Sequence, residues 1–332
     1  NHGYGIVQRV EKMTEGEIKL APGTMYGSLS KMEKDGLIIF IREEEKRKIY
    51  EITELGKEVL QLELKRIANN LRISIIEEVY NAKCGHPGGS LSIADILTYL
   101  YFEELRVDPA NPDAPDRDRL VLSKGHCAPA LYSVLAQRGF FPIEDMLQLR
   151  KVGSYLQGHP NMNSVPGIDM STGSLGQGIS AACGMALAAK VKGSNRCVYT
   201  LLGDGEIQEG QVWEASMFAG HRKLDNLVVI VDNNGLQIDG PVDQVCSPYP
   251  IDKKFEAFGW HTIIIDGHNF EEIEKALAEA KTVDKPVCII AKTVKGKGVS
   301  YMEIQLGWHG VAPNDEQAAN ALSQLKETLG DY

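Results

Sequence analysis

The sequence predicts an α/β protein in which a parallel sheet is sandwiched between helices, preceded by a small α+β module. Three observations lead to this prediction. After Met170, short apolar strand-like runs alternate with helical patterns, which is typical of a parallel sheet covered on both faces. Polar segments directly follow two of these runs. Residues 1–63 differ from the rest because they are rich in Glu, Lys and Arg. We therefore expect one domain over residues 1–63 and a second over residues 64–332.

The composition is that of an ordinary globular protein. The chain has 332 residues, of which 43% are hydrophobic and 24% are charged. A net charge of -10 argues against nucleic acid binding over the whole surface, although a small DNA-reading module would be compatible with it. No apolar run has bilayer length and no signal-peptide pattern opens the sequence, so we expect a cytoplasmic protein without a membrane partner. The six cysteines form no C-x-x-C pair, which favours reduced thiols over zinc or disulfides.

The N-terminal module has the pattern of two helices followed by a two-stranded wing. Gly36 follows the second helix as a C-terminal cap, and a charged turn joins the two strands. The predicted elements are helices at 5–13 and 24–35, strands at 37–41 and 49–52, and a helix from about Thr53.

Two stretches of this module carry a family resemblance. Residues 22–29 (PGTMYGSL) and 48–56 (KIYEITELG) closely resemble the PadR-like family of transcriptional regulators, whose DNA-binding module is a winged helix. The resemblance implies that the helix at 24–35 enters the major groove and that Arg47 and Lys48 contact phosphates. The first helix of that fold and its dimerisation helices have no counterpart here, and acidic and basic residues nearly balance. A fusion remnant that does not bind DNA is therefore the competing interpretation.

The larger domain combines helices and strands in alternation. Two amphipathic helices, at 65–82 and 92–105, precede the alternating part. The alternating elements are helices at 175–191, 211–222, 252–258 and 270–281, and strands at 197–202, 227–232, 261–265 and 286–292. Ligands of such sheets bind beyond the carboxyl ends of the strands, so the residues that follow each strand are candidates for a site.

Polar residues follow two predicted strands that are consecutive in the chain. Residues 203–205 (Gly-Asp-Gly) follow one strand, and residues 233–235 (Asn-Asn-Gly) follow the next. The carboxylate of Asp204 and the carboxamide of Asn234 suit Mg²⁺, which prefers oxygen ligands and shares them with phosphates. The adjacent glycines let the backbone approach phosphate oxygens. The sequence therefore predicts a magnesium-diphosphate site, with a strand-end cap and a turn residue as the structural alternative.

Four histidines lie in loops flanked by glycine or proline, namely His86, His126, His159 and His309. Histidine suits a site that handles sugar hydroxyls and phosphates, because its ring donates, accepts or carries charge near neutral pH. The spacing of the four residues matches no usual zinc motif, so a zinc cluster ranks lower. The glycine-rich turn at 172–178 precedes a predicted helix and suggests a backbone contact to a cofactor, with tight helix packing as the alternative.

Six motifs of the larger domain together resemble the N-terminal, diphosphate-binding half of transketolase. They are residues 123–126 (SKGH), 158–160 (GHP), 174–178 (SLGQG), 203–214 (GDGEIQEGQVWE), 232–240 (DNNGLQIDG) and 292–298 (KTVKGKG). Residues 209–214 (EGQVWE), which begin with Glu209 and follow the Gly-Asp-Gly core, favour transketolase over deoxyxylulose-phosphate synthase and the 2-oxoacid dehydrogenases. Those enzymes share only the core. The resemblance implies a thiamin diphosphate-binding fold, with thiamine diphosphate and Mg²⁺ as cofactors.

The resemblance also implies a role for individual residues. The implied metal ligands are Asp204, Asn234 and the backbone carbonyl of Leu236. The implied cofactor contacts are His126, His309, Asn234 and the backbone of Gly205 around the diphosphate, and the backbone of Gly173 and Leu175 at the rings. The implied catalytic residues are His86, His159 and His309, which would line the channel for the ketose hydroxyls, and Glu209, which would meet a partner carboxylate across a subunit interface.

The function that the resemblance implies is transfer of a two-carbon glycolyl unit from a ketose phosphate to an aldose phosphate. The pyrimidine-binding half of transketolase has no counterpart in this sequence, so we expect a separate C-terminal subunit to supply it, in a heterotetramer. The alternative is a transcriptional regulator that senses thiamine diphosphate or a sugar phosphate without turnover. The full set of channel histidines favours the enzyme.

Overall fold

A computed structural model describes residues 22–44 and 47–329 of the chain, and the side chains of residues 27–43 and 48–329. The helix predicted at 5–13 lies outside the described residues, and so do two residues of the charged turn in the predicted wing.

The N-terminal module contains one described helix and one hairpin, as the sequence predicts. The helix is α1 (Pro22–Lys34), and the antiparallel strands are β1 (Ile38–Glu44) and β2 (Arg47–Ile52). Gly36 has a φ of 74°, and this left-handed conformation lets the chain turn from α1 into β1. A small core of Leu29, Ile38 and Tyr50 holds the helix against the hairpin.

A single long helix, α2 (Glu54–Ala82), joins this module to the larger domain. The hydroxyl of Thr53 caps it by accepting the Gly56 N–H at 3.0 Å, and donates to the Gly36 carbonyl at 2.6 Å. The sequence pattern predicts two helices here, and the structure corrects this to one. No glycine or proline interrupts residues 57–82, so nothing ends the first helical pattern before the second begins.

The larger domain is built around a five-stranded sheet. Its α-helices are α3 (Pro87–Leu91), α4 (Ala94–Tyr99), α5 (Ala128–Gln137), α6 (Gly178–Val191), α7 (Gly210–Arg222), α8 (Val242–Cys246), α9 (Ile251–Ala257), α10 (Phe270–Ala280) and α11 (Asp315–Leu329). Its strands are β3 (Arg119–Leu122), β4 (Val198–Gly203), β5 (Leu227–Asn233), β6 (Leu236–Gln237), β7 (Gly240–Pro241), β8 (His261–Asp266) and β9 (Val287–Lys292). The sheet has the order β3-β4-β5-β9-β8 with all strands parallel, and β6 and β7 form a separate short hairpin.

The structure confirms the predicted α/β alternation and adds three corrections. The helix predicted at 92–105 is interrupted, because α4 continues into a π-helical turn at Leu100–Glu104, closed by a Leu105 N–H to Leu100 carbonyl bond of 2.7 Å. The helix predicted from residue 175 starts at Gly178, since Gly176 has a φ of 79° that belongs to a turn. The elements additional to those predicted from the sequence are α3, β3, α5, β6, β7, α8 and α11.

Side chains of the sheet enter two cores, one on each face. Along β5, Val228 and Ile230 face the core that also contains α2, while Val229 and Val231 face the core that also contains α6. Such alternation is the normal consequence of a pleated strand and produces a three-layer sandwich. Within the described ranges, no helix is long and apolar enough to cross a membrane.

The two ends of α2 differ in burial, which gives a matched test of the core. Leu71 is 0% exposed and Leu62 is 43% exposed on the same helix. We expect Leu71→Ala to lower the free energy of unfolding by about 2–5 kcal/mol, because it leaves a cavity. Leu62→Ala should change it by about 0.5 kcal/mol or less. Urea denaturation followed by circular dichroism measures both, and equal losses would contradict the assigned buried face.

Candidate active site

The carboxyl ends of β4 and β5 bring Asp204 beside the turn that follows β5. The strands pair so that Gly203 lies opposite Asp232, which places both polar segments at one edge of the sheet. Asp204 Oδ2 accepts bonds from Asn233 Nδ2 at 2.9 Å and from the Gly235 N–H at 2.6 Å. Its Oδ1 accepts the Gly205 N–H at 2.9 Å. Burial and the neighbouring Asp232 carboxylate raise the pKa of Asp204 to about 6.

The turn after β5 presents the other two predicted metal ligands. Gly235 has a φ of 79°, which permits a tight turn in which Asn234 Oδ1 accepts the Leu236 N–H at 3.1 Å. The Leu236 carbonyl accepts a bond from Lys295 Nζ at 3.2 Å. Asp204, Asn234 and Leu236 thus contribute a carboxylate, a carboxamide and a backbone carbonyl around one turn. These hard oxygen donors fit Mg²⁺ that is also bound by phosphates.

A buried ion pair lies directly behind this turn. Asp232 Oδ2 accepts bonds from Lys124 Nζ at 2.5 Å, Ser92 Oγ at 2.7 Å and Asn234 Nδ2 at 2.9 Å, and its Oδ1 accepts from the Thr293 hydroxyl. Burial alone would lower the pKa of Lys124, but the Asp232 carboxylate raises it above its ordinary value. Both residues of the pair lie in the family motifs, but the sequence alone gives neither a role.

Three of the four predicted histidines lie together. The ring centroids of His86 and His126 are 5.2 Å apart, those of His86 and His309 are 5.5 Å apart, and those of His126 and His309 are 5.3 Å apart. Burial and nearby positive charge lower the pKa of His86 and His126 to about 4 and that of His309 to about 3. All three rings are therefore neutral near pH 7. Among the described residues nothing hydrogen-bonds to the buried Nδ1 of His86.

His159 lies on the neighbouring loop, at a cleft of about 590 Å³. The cleft is lined by Arg150, Gln157, Gly158, His159, Pro160, Asn161, Asn163 and Ser171. A Cβ at Gly173, whose φ is 151°, would lie 3.0 Å from His159 Cδ2, so this position requires glycine. Burial and the nearby His126 lower the pKa of His159, which keeps its ring neutral as well.

Lys295 is a site residue to which the sequence alone gives no role. Its side chain is buried, and its Nζ lies 3.2 Å from the Leu236 carbonyl and 2.9 Å from His309 Nδ1. Burial and the charge of Lys124 lower its pKa. The motif at 292–298 contains three lysines, and the sequence does not show which of them turns inward.

The remaining predicted residues surround this edge. Gly205 packs against Gln237, and the Gly176 N–H beside Leu175 donates to the buried Glu206 carboxylate at 3.0 Å. Glu206 also accepts bonds from Ser123 Oγ at 2.5 Å and the Gly203 N–H at 3.0 Å, a role that the sequence pattern does not reveal. Glu209 is exposed at the start of α7.

A parallel sheet with oxygen donors, buried ammonium groups and neutral histidines at its carboxyl edge defines an α/β protein that binds a diphosphate cofactor. Residues 63–330 match the family model described as "Transketolase, thiamine diphosphate binding domain". The chain therefore belongs to the transketolase family. Residues 1–62 match the "Transcriptional regulator PadR-like family".

Two similar proteins are transketolase subunits of about the length of the larger domain. The 6-deoxy-6-sulfo-D-fructose transketolase subunit of Clostridium sp. (strain MSTE9) is 47% identical over 268 residues, which cover 80% of this chain and 98% of that protein. One of the subunits of apulose-4-phosphate transketolase from Phocaeicola vulgatus is 44% identical over 273 residues, which cover 82% of this chain and 96% of that protein.

Other relatives are longer than this chain. Mouse transketolase is 50% identical over 252 residues, which cover 74% of this chain but 39% of the mouse protein. The crystal structure of Campylobacter jejuni transketolase superposes with a TM-score of 0.75 and 38% identity, over 81% of this chain and 43% of that chain. The chain thus matches less than half the length of these transketolases.

The ion pair behind the turn gives a test of the site's electrostatics. Lys124→Met leaves the Asp232 carboxylate buried without its cation, and should lower the free energy of unfolding by about 3–5 kcal/mol. Lys124→Met/Asp232→Asn removes both charges and keeps the shape, so it should be more stable than the single variant. Urea denaturation compares the two. A double variant less stable than Lys124→Met would contradict this electrostatic assignment.

Proposed function

We propose that this chain is the N-terminal subunit of a two-chain transketolase. It binds magnesium and thiamine diphosphate and, with a C-terminal subunit, transfers a two-carbon glycolyl unit from a ketose phosphate to an aldose phosphate. The observation that carries the proposal is the set of oxygen donors around Asp204, which lies at the same sheet edge as the neutral histidines. The near-complete coverage of two transketolase subunits supports it.

The roles implied by the sequence fit this geometry. Asp204, Asn234 and the Leu236 carbonyl hold the metal. His126, His309 and the backbone of Gly205 contact the diphosphate, with Lys295 beside them as a further cation, and the backbone of Gly173 and Leu175 contacts the rings. When bound, thiamine diphosphate supplies the nucleophilic carbon and the electron sink of the reaction.

The histidines bind and orient the sugar. Because their pKa values are lowered, His86 and His159 are neutral near pH 7 and can each donate or accept a hydrogen bond. The buried Nδ1 of His86 has no hydrogen-bond partner among the described residues. We assign His86, His159 and His309 to the ketose oxygens whose protons move during bond cleavage, a contribution typically worth roughly 10²–10⁴-fold in rate.

Glu209 belongs to the contact with the partner subunit. Its exposed carboxylate at the start of α7 would share a proton with a partner carboxylate, because two close carboxylates cannot both ionise without cost. We propose that this chain and the C-terminal subunit form a heterotetramer. In it, residues 64–332 hold the cofactor and residues 1–63 form a separate module. The names of the two similar subunits point to a ketose donor whose far end is anionic, a sulfonate or a phosphate.

Removal of the central carboxylate tests cofactor binding. We expect Asp204→Ala to weaken binding of thiamine diphosphate in the presence of Mg²⁺ by about 100-fold or more. Removal of a metal ligand should weaken binding more than removal of a residue that only orients such a ligand. Asp225→Ala is the matched control, because Asp225 lies near the opposite end of β5 and pairs with Lys190 at the surface. Calorimetry on the complex of the full chain with its C-terminal subunit measures both. Equal affinity of Asp204→Ala and the wild type would refute the metal site.

Mixing with a partner tests the activity. The full chain alone should show no ketol transfer, and activity should appear when a pyrimidine-binding C-terminal subunit from the same organism is added, because that half completes the site. A coupled assay that detects the released aldose measures the rate with ketose phosphates and with a ketose sulfonate. Activity of the chain alone would contradict the two-chain proposal, and ligand-dependent operator binding without turnover on mixing would favour the regulator.

A further inference from the structure

A second buried network lies behind the loop that carries Lys295. Arg72 of α2 and Asp95 of α4 form a bidentate ion pair, with Nη1–Oδ1 at 3.1 Å and Nη2–Oδ2 at 2.5 Å. Both side chains are 8% exposed. His268 Nδ1 lies 2.6 Å from Asp95 Oδ2. A buried ion pair is by itself weak evidence for stability, so the other contacts of this network indicate what it does.

The ring of His268 connects Asp95 to the loop backbone. The Val294 N–H donates to His268 Nε2 at 2.9 Å. A backbone N–H can only donate, so Nε2 carries no proton and Nδ1 donates to Asp95. The imidazole is therefore held in one tautomer by contacts on both nitrogens, and it fixes the residue immediately before Lys295.

Arg72 holds the other side of the same loop. Its Nε donates to the Lys297 carbonyl at 3.1 Å. A Cβ on Gly298 would lie 2.9 Å from Arg72 Cδ, so backbone and guanidinium stem are in close contact there. The Lys297 N–H donates to the Val294 carbonyl at 3.2 Å and closes the turn. The network thus holds the backbone on both sides of Lys295.

The position of this backbone decides where the Lys295 ammonium lies. A lysine side chain is flexible and its ammonium is a point charge with three donors, so it gains direction from where its Cα is fixed. Here Nζ lies between the Leu236 carbonyl and His309 Nδ1.

We propose that Arg72, Asp95 and His268 are positioning residues that act through the backbone of residues 294–297. They place the Lys295 ammonium against His309 and the Leu236 carbonyl, and so set the affinity of this edge for the magnesium-diphosphate group. The identity of that group rests on the proposed function, whereas the placement of Lys295 does not.

The placement is tested first on the full chain without cofactor, by nitrogen-15 NMR of the histidine rings. His268 should show the tautomer protonated at Nδ1. Burial and Lys295 hold the pKa of His309 at about 3, so His268→Leu should raise it towards the ordinary histidine value as Lys295 moves away. Lys295→Met should raise it too, and the double variant should go no further than Lys295→Met.

His261→Leu is the matched control for this titration. His261 also contacts a carboxylate, that of Glu279 at 2.6 Å, but it lies at the opposite end of β8. The variant His261→Leu should therefore leave the pKa of His309 unchanged. Asp95→Asn is a second variant in case His268→Leu does not fold, and it should shift His309 in the same direction. An unchanged pKa of His309 in the variants of His268 and Asp95 that fold overturns the proposal.

Calorimetry then measures the consequence for cofactor binding. His268→Leu and Lys295→Met should each weaken binding of thiamine diphosphate with Mg²⁺, by about 10–100-fold if His268 behaves like residues that orient metal ligands. The double variant should match Lys295→Met, because His268 acts through Lys295. Additive losses contradict the proposal. If the wild type does not bind the cofactor even with the C-terminal subunit present, the proposed function fails, while the NMR titration still decides the placement of Lys295.

Discussion

The buried carboxylate of Asp232 is the constraint on which the rest of the site depends. It accepts hydrogen bonds from Lys124 after β3, Ser92 before α4, Thr293 after β9 and Asn234 after β5. Four loops at one edge of the sheet are therefore held to a single pair of oxygens. Because a buried charge without partners is strongly destabilising, displacement of any of these loops is disfavoured.

The distribution of charge at this edge follows from that constraint. Asp232 neutralises Lys124, but Lys295 is a second buried ammonium that has no carboxylate as a hydrogen-bond partner among its described contacts. The histidines stay neutral because burial and these cations disfavour their protonation. The Lys295 ammonium and the N–H donors suit an anionic group, and the oxygen ligands near Asp204 suit the metal that accompanies it.

Local sequence signals predict four of the five strands of the parallel sheet and most of the candidate site, but not the interactions between distant segments. The strand predicted at 197–202 is β4 within one residue, because apolar runs that end in Gly-Asp-Gly mark both the strand and its end. The pattern does not reveal β3, because this strand has four residues and lies before the clear alternation. Asp232, Glu206 and Lys295 have no predicted role, since each acquires it from a partner that is remote in sequence.

The long helix α2 shows why a family boundary need not be a structural one. The transketolase match begins at residue 63, within a helix whose cap is Thr53. From Leu64 onward one face of α2 is buried, and its stability there comes from packing against the helices α4, α5 and α11 rather than from its first turns. At its N-terminal end the helix is tied to the hairpin instead, because the hydroxyl of the cap residue Thr53 donates a hydrogen bond to the carbonyl of Gly36, just before β1. One continuous helix therefore belongs to the regions of two sequence families. Its C-terminal part is held by packing, and its N-terminal end is held by the Thr53 cap.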